Sequence, residues 1–318
     1  MTKPLVLILH PFLPDGILLR WALEFPQCEF VDGRSPDKLA AHLKDMVIAY
    51  GVPPVDRLAE AAALRWIQLL SAGVPADLCP AAQARHIPVT NLAGLYGPTI
   101  AEHALAMMLI ISRNLQTALA NQQPRRWDRT VAGTMTDLHG KTLGVVGLGN
   151  IGRHIARLAR AFGMRVVGCR RVPRHTPYVD QLYAGAELHA MLGEADYVAV
   201  AAPLTKITGG ILGPAEFAAM KRGVRYINVS RGPVAQEQAL LAALQSGHVA
   251  AAAMDVFAVE PLPQDHPFWA MPNVVISPHY SGETVNNSSL PAERFARNLR
   301  AWLAGRELEG VVDLEHGY

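Results

Sequence analysis

Arg231, Glu260 and His279 each follow a segment of strand character. Arg231 lies in Asn-Val-Ser-Arg-Gly after residues 225–229, Glu260 in Asp-Val-Phe-Ala-Val-Glu-Pro-Leu after 250–256, and His279 in Ile-Ser-Pro-His-Tyr-Ser-Gly after the strand at 274–277. Open parallel α/β sheets bind ligands outside the carboxyl ends of their strands, which places all three side chains on the ligand-bearing edge. Such a set suits hydride addition to a carbonyl. The oxygen gains negative charge and needs a proton, which an imidazole supplies and recovers in reverse. A carboxylate on the other ring nitrogen fixes the tautomer and favours the protonated ring. A guanidinium grips a substrate carboxylate and polarises the carbonyl beside it. Each residue alone has a plainer reading: a surface arginine, a solvated glutamate, a histidine satisfied in a turn.

A second group of residues points to a cofactor. The apolar run 143–146 ends in Gly147, Gly149 and Gly152, with Asn150 and Ile151 between the last two, and a helical pattern follows at once. Between a strand and a helix, this spacing gives a tight turn, a close backbone approach and a helix set near the strand. The first helical N–H groups then face a pyrophosphate. The next strand, 164–168, leads into Cys169-Arg170-Arg171-Val172-Pro173-Arg174, with no acid to accept from a ribose diol. Arg170 and Arg171 suit a 2′-phosphate instead, so NADP(H) is the expected cofactor and NAD(H) the alternative. A solvated basic turn is the plainer reading, but it leaves the missing acid unexplained.

These residues need a scaffold of alternating elements. Strand patterns at 5–9, 29–31, 46–49, 67–70 and 88–90 alternate with helical ones at 15–25, 36–44, 56–63 and 77–85, and the alternation resumes beyond residue 140. That pattern predicts βαβ units: an α/β chain of two doubly wound, parallel-sheet, Rossmann-like domains with the active site in a cleft between them. The loop Ser-Ala-Gly-Val-Pro-Ala at 71–76 follows a strand and reads equally as a plain turn or as backbone N–H groups offered to an anion. Residues 92–98 are rich in breakers and read as a hinge. Thr99 then caps one long apolar helix reaching Ala120, in which His103 reads as structural. The charged loop 122–130 carries Trp127 as an aromatic anchor.

Composition excludes several classes. The 318 residues exceed one usual core, and 50% hydrophobic with 18% charged residues suits a well-buried globular protein. A net charge of +2 gives no reason to expect a nucleic-acid partner. Cys28, Cys79 and Cys169 form neither a disulfide framework nor a metal spacing, which favours a cytoplasmic location and no metal. No leader pattern opens the chain and no apolar run reaches the length of a membrane span, so no membrane association is expected.

Taken together, residues 145–152, 228–233, 254–263 and 272–282 resemble the D-2-hydroxyacid dehydrogenase family, whose members include glyoxylate/hydroxypyruvate reductases and phosphoglycerate dehydrogenases. The resemblance covers nearly the whole chain and implies roles: Arg231 for substrate binding, Glu260 as partner, His279 as general acid/base. It implies that backbone N–H groups of Ala72, Gly73 and Val74 bind the substrate carboxylate and that Asp255 contacts the nicotinamide amide. It also implies that Pro203, Thr208, Val229 and Ser230 line the cofactor, and that a homodimer forms through the long helix. The implied domains are a discontinuous, flavodoxin-like substrate domain (1–98 plus 284–318) and a dinucleotide-binding domain (99–283); pattern alone leaves the tail with the second domain. The implied reaction is hydride transfer between NADP(H) and a small 2-oxo or D-2-hydroxy acid of the glyoxylate/hydroxypyruvate type. The rivals are an NAD-linked phosphoglycerate dehydrogenase and a dinucleotide-sensing corepressor. Departures from the family pattern fall at Tyr96-Gly97 and at Ile207-Thr208-Gly209-Gly210. Glu260 itself argues against the formate-oxidising branch, which has Gln there, and the chain is expected to lack the extra regulatory domain of some phosphoglycerate dehydrogenases.

Overall fold

Strands of the first sheet send alternate side chains into two hydrophobic layers. The computed structural model describes residues 3–11, 13, 15–75, 77–285 and 289–316. In β1 (Leu5–Ile8), Val6 and Ile8 join one core and Leu5 and Leu7 the other. With both faces covered, a parallel strand reads as an unbroken apolar run, as this one does. β1 pairs with β2 (Glu29–Asp32) and β3 (Met46–Tyr50), and β4 (Trp66–Gln68) and β5 (Val89–Thr90) complete a parallel sheet of order β2-β1-β3-β4-β5. This is the flavodoxin-like strand order. The crossovers carry α1 (Ile17–Glu24), α2 (Pro36–His42) and α3 (Leu78–Ala84). The expected helix at 56–63 is instead a 3₁₀ turn, Val55–Glu60. Side chains three apart stack in that tighter geometry, and Arg57 pairs with Glu60 at 2.8 Å.

The chain divides into two compact units, Met1–Leu95 with Thr284–Tyr318, and Tyr96–Glu283. Aromatic packing assigns the tail to the first. The C-terminal helix Leu290–Leu303 drives Phe295, with no exposed surface, among Trp21 and Tyr50 (ring centroids at 4.8 Å each) and Trp66 (5.4 Å). Asn298 on the same helix donates to Gln68 Oε1 of β4 at 3.0 Å.

The second unit opens with α4 (Gly97–Ser112), which buries Ala101, Ala104, Met107, Met108 and Ile111. The single helix expected as far as Ala120 is broken. Asn114 turns left-handed (φ 50°), its Nδ2 donates to Thr134 Oγ1 at 2.8 Å, and α5 (Leu115–Gln122) starts afresh. Asn accepts that conformation at low cost, and the tertiary hydrogen bond selects it over helix continuation. Beyond lie β6 (Thr142–Val146), α6 (Asn150–Ala161), β7 (Arg165–Arg170), β8 (Gln181–Ala184) and α7 (Leu188–Glu194). β9 (Tyr197–Val200), α8 (Pro214–Ala219), β10 (Val224–Asn228), α9 (Glu237–Gln245), β11 (Val249–Met254) and β12 (Val274–Ile276) follow. The parallel sheet runs β12-β11-β10-β9-β6-β7-β8, the doubly wound dinucleotide-binding order with one strand added at an edge. β8 and α7 have no counterpart in the sequence reading. β8 is a short edge strand whose place depends on pairing with β7, so its local pattern is weak.

The three thiols are free and buried. Burial pushes each upward, Cys169 to about 11, so they stay protonated and unreactive near neutrality. Among the described residues, no helix is long and apolar enough to cross a membrane.

Candidate active site

The glycine turn at the end of β6 is a close-contact structure. Gly147 has φ 95°, and a Cβ there would lie 2.5 Å from the Ala202 backbone. A Cβ on Gly152, in the first turn of α6, would lie 2.1 Å from the Gly147 carbonyl oxygen. Gly149 differs: nothing lies within 4 Å of a Cβ built on it, and it caps α6 with no side-chain hydrogen bond. The N–H groups of Asn150 and Ile151 make no hydrogen bond among the described residues, and the positive end of the helix dipole lies behind them. A dinucleotide pyrophosphate fits that cradle. Gly152→Ala is expected to lower stability by about 1–3 kcal/mol through overpacking and to abolish dinucleotide binding. Thermal unfolding and a fluorescence titration with NADPH check this, and an unchanged midpoint and affinity would contradict the packing.

Arg170 ends β7 and Arg171 follows it, exposed. In the loop after β9, Thr208 ties the loop to itself: its hydroxyl donates to the Pro203 carbonyl at 2.5 Å and accepts from the Thr205 N–H at 2.8 Å. Val229 and Ser230, after β10, are buried, and both the Ser230 N–H and hydroxyl donate to Asn228 Oδ1 (3.0 and 2.9 Å). That turn aims Arg231, whose Nη1 donates to the Ser230 carbonyl at 2.6 Å. Among the described residues this is the one hydrogen bond of its guanidinium, which leaves the rest of the fork for a ligand.

Glu260 and His279 meet directly. His279 Nδ1 lies 2.6 Å from Glu260 Oε2, and Glu260 Oε1 accepts from the Phe257 N–H at 2.9 Å. A carboxylate only accepts, so Nδ1 carries the hydrogen and Nε2 is the nitrogen offered outward. Arg231 is tied to the Glu260 loop through its neighbour. A Cβ on Gly232 would lie 2.0 Å from the Phe257 carbonyl carbon, so only glycine lets the two backbones approach.

His279 sits at φ 53°, an uncommon conformation for a side chain of its size. The turn holding it is wound around Asp255. This fully buried carboxylate accepts from the Ser277 hydroxyl at 2.5 Å, the Tyr280 N–H at 3.1 Å and the Ser281 N–H at 2.9 Å. Three donors satisfy a charge that burial would otherwise make costly. The observed work of Asp255 is thus to hold the His279 turn, whereas the resemblance implies a contact with the nicotinamide amide. His103 braces the same turn from α4. Its Nε2 lies 2.9 Å from Ser277 Oγ, whose own hydrogen goes to Asp255, so His103 is the donor. Burial pushes the His103 imidazole down, which keeps it neutral near pH 7. Sequence reasoning misses Ser277; its one signal is a hydroxyl two residues before a candidate acid.

Ala72, Gly73 and Val74 belong to the first unit, and Ala76 of the same loop lies outside the described residues. Asn91 Nδ2 donates to the Ala72 carbonyl at 2.9 Å and the Ser71 hydroxyl to the Gly73 carbonyl at 2.7 Å. Carbonyls are thereby occupied, while the three N–H groups make no hydrogen bond among the described residues. Three successive N–H groups are thus left for an outside acceptor, the resource that a backbone anion site requires.

A glycine turn on a doubly wound parallel sheet, with an imidazole–carboxylate pair and an arginine at its carboxyl edge, defines a dinucleotide-binding protein equipped for acid–base work. The model of the family described as "D-isomer specific 2-hydroxyacid dehydrogenase, NAD binding domain" matches residues 105–281. Glyoxylate/hydroxypyruvate reductase B of Citrobacter koseri is 32% identical over 98% of this chain and 98% of its own length. D-3-phosphoglycerate dehydrogenase of Mycobacterium tuberculosis is 34% identical over all of this chain, which spans only 60% of that relative's length. A D-isomer specific 2-hydroxyacid dehydrogenase of Xanthobacter autotrophicus, solved in complex with NADPH and MES, superposes with a TM-score of 0.83 at 30% identity over 100% of both chains. The chain belongs to the D-isomer specific 2-hydroxyacid dehydrogenase family.

Proposed function

We propose that the protein is an NADP(H)-dependent reductase of small 2-oxo acids of the glyoxylate/hydroxypyruvate type, yielding D-2-hydroxy acids. The observation that carries this reading is the His279–Glu260 pair at 2.6 Å, an acid oriented by a carboxylate. When bound, NADPH supplies the hydride for the carbonyl carbon. Gly147, Gly149, Asn150, Ile151 and Gly152 hold the pyrophosphate, Pro203, Thr208, Val229 and Ser230 line the cofactor, and Arg170 and Arg171 take the 2′-phosphate. Arg231 binds the oxo acid and polarises its carbonyl. His279, as imidazolium, gives its Nε2 proton to the carbonyl oxygen while its Nδ1–H goes on donating to Glu260. The N–H groups of Ala72, Gly73 and Val74 are assigned to the substrate carboxylate. A Sinorhizobium meliloti relative described as an NADPH-dependent glyoxylate/hydroxypyruvate reductase, 27% identical with a TM-score of 0.84 over 99% of this chain and 100% of its own, supports the cofactor and substrate class.

The substrate domain is assigned to Met1–Leu95 with Thr284–Tyr318, and the dinucleotide domain to Tyr96–Glu283. A homodimer is favoured by the exposed Leu115 and Leu119 on α5 and by Trp127 beyond it. Three buried free thiols favour the cytoplasm.

Cofactor oxidation over a panel of small 2-oxo acids tests the reading, with NADPH turning over well above NADH. Replacing Arg170 and Arg171 together with serine should erase about 1.5–3 kcal/mol of that preference, about 10- to 150-fold in kcat/KM for NADPH. A wild-type preference for NADH would remove the 2′-phosphate assignment. Turnover confined to NAD with 3-phosphoglycerate would replace the reductase by a phosphoglycerate dehydrogenase. Tight dinucleotide binding without turnover would point to a sensor.

A further inference from the structure

One carboxylate fastens both ends of the loop that carries Glu260. Glu237, the first residue of α9, accepts from the Ala258 N–H at Oε2 (3.3 Å) and meets His266 Nε2 at Oε1 (3.1 Å). The direction of the second contact is set from its far side. The Phe268 N–H donates to His266 Nδ1 at 3.3 Å, so Nδ1 bears the lone pair and Nε2 carries the hydrogen that goes to Glu237. Both side chains are largely enclosed, 22% exposed for Glu237 and 13% for His266, and the His266 ring packs on Phe268 with centroids 4.6 Å apart. The start of α9 is a favourable place for the negative charge.

Between the two fastenings, residues 258–266 include Glu260. The amide just before the fastened one belongs to Phe257 and donates to Glu260 Oε1, so the backbone that Glu237 holds also orients the carboxylate facing His279. Gly232 closes the loop from the β10 side. Nothing else among the described hydrogen bonds joins residues 258 and 266 through a common group.

We propose that Glu237 and His266 are positioning residues for the reaction: a staple that fixes the Glu260 loop and, through it, the tautomer and orientation of His279. This inference rests on reading His279 and Glu260 as the acid–base pair. The chemistry requires a carboxylate at 237. Both groups facing it are donors, and a glutamine offers one acceptor oxygen and one NH₂ group. His266 has no tautomer that relieves the mismatch, because its Nδ1 already takes the Phe268 N–H. Glu237→Gln therefore keeps the shape and opens one end of the loop.

The test has a readout independent of turnover. In ¹⁵N-histidine-labelled protein, with His279 assigned by comparison with His279→Asn, the neutral imidazole of the wild type should show Nδ1 protonated and Nε2 bare. Glu237→Gln should shift it towards a mixture with the Nε2–H form. It should also lower kcat for oxo-acid reduction about tenfold or more, since small displacements of catalytic groups are costly, while affinity for NADPH stays within about twofold. His266→Asn retains a side-chain oxygen for the Phe268 N–H but does not reach Glu237, so it should reproduce both effects. In the unmodified protein the Ala258 amide should exchange with solvent far more slowly than an open loop. Exchange at the open-chain rate, or a His279 tautomer unmoved in either variant, overturns the staple. If the wild type reduces no 2-oxo acid yet the tautomer shifts in Glu237→Gln, the reductase reading falls and the staple stands. If it reduces oxo acids and the tautomer does not move, the staple falls and the reductase stands.

Discussion

His279→Asn is expected to lower kcat for oxo-acid reduction by about 10²–10⁴-fold, the usual worth of a positioned general acid, and to leave NADPH affinity unchanged. Asparagine is the informative replacement because His279 occupies φ 53°, a left-handed conformation that Asn tolerates, so the turn around Asp255 stays formed. What disappears is a group able to give and retake a proton at Nε2. Steady-state kinetics with saturating NADPH measure the effect, and a fluorescence titration measures the affinity. Turnover within a few-fold of wild type would move the acid to another residue; lost NADPH binding would show that the variant disturbs the glycine turn instead.

Arg231→Ala is expected to act mainly on the oxo acid. Removing one partner of a desolvated, hydrogen-bonded charge pair costs about 2–5 kcal/mol, or about 30- to several-thousand-fold in kcat/KM. The larger share should fall on KM, because a guanidinium that clamps a carboxylate does so in the ground state as well. Some loss of kcat follows from its pull on the carbonyl. Arg231→Lys should recover only part of the loss: an ammonium is a point charge without the bidentate fork. In the structure the fork is half-buried and steadied by the Ser230 carbonyl at 2.6 Å, so truncation leaves neighbouring backbone in place. A KM for the oxo acid that does not move would remove the carboxylate clamp from Arg231.

Much of the scaffold is legible in order along the chain. The spacing of Gly147, Gly149 and Gly152 between an apolar run and a helical pattern announces the cradle on α6, because each constraint acts within a few residues. Apolar runs and period-3.6 patterns likewise reveal most strands and helices, since a parallel sheet buried on both faces demands unbroken apolar strands. Arg231, Glu260 and His279 are visible as reactive types at strand ends, and Arg170 with Arg171 as a missing acid.

Tertiary structure decides what depends on partners far along the chain. Residues 99–120 are helical by pattern throughout, yet Asn114 breaks the run when its side chain finds Thr134. The terminal helix is amphipathic in sequence, but only Trp21, Tyr50 and Trp66 around Phe295 say which unit it covers. The support of the site is the least local of all. His103 reaches Ser277 across 174 residues, and Glu237 reaches His266 across 29. Local sequence determines which residues could do the chemistry, because backbone preference and side-chain type are short-range properties. Only the fold decides how they are held, because hydrogen bonds and burial are satisfied between segments that the sequence keeps apart.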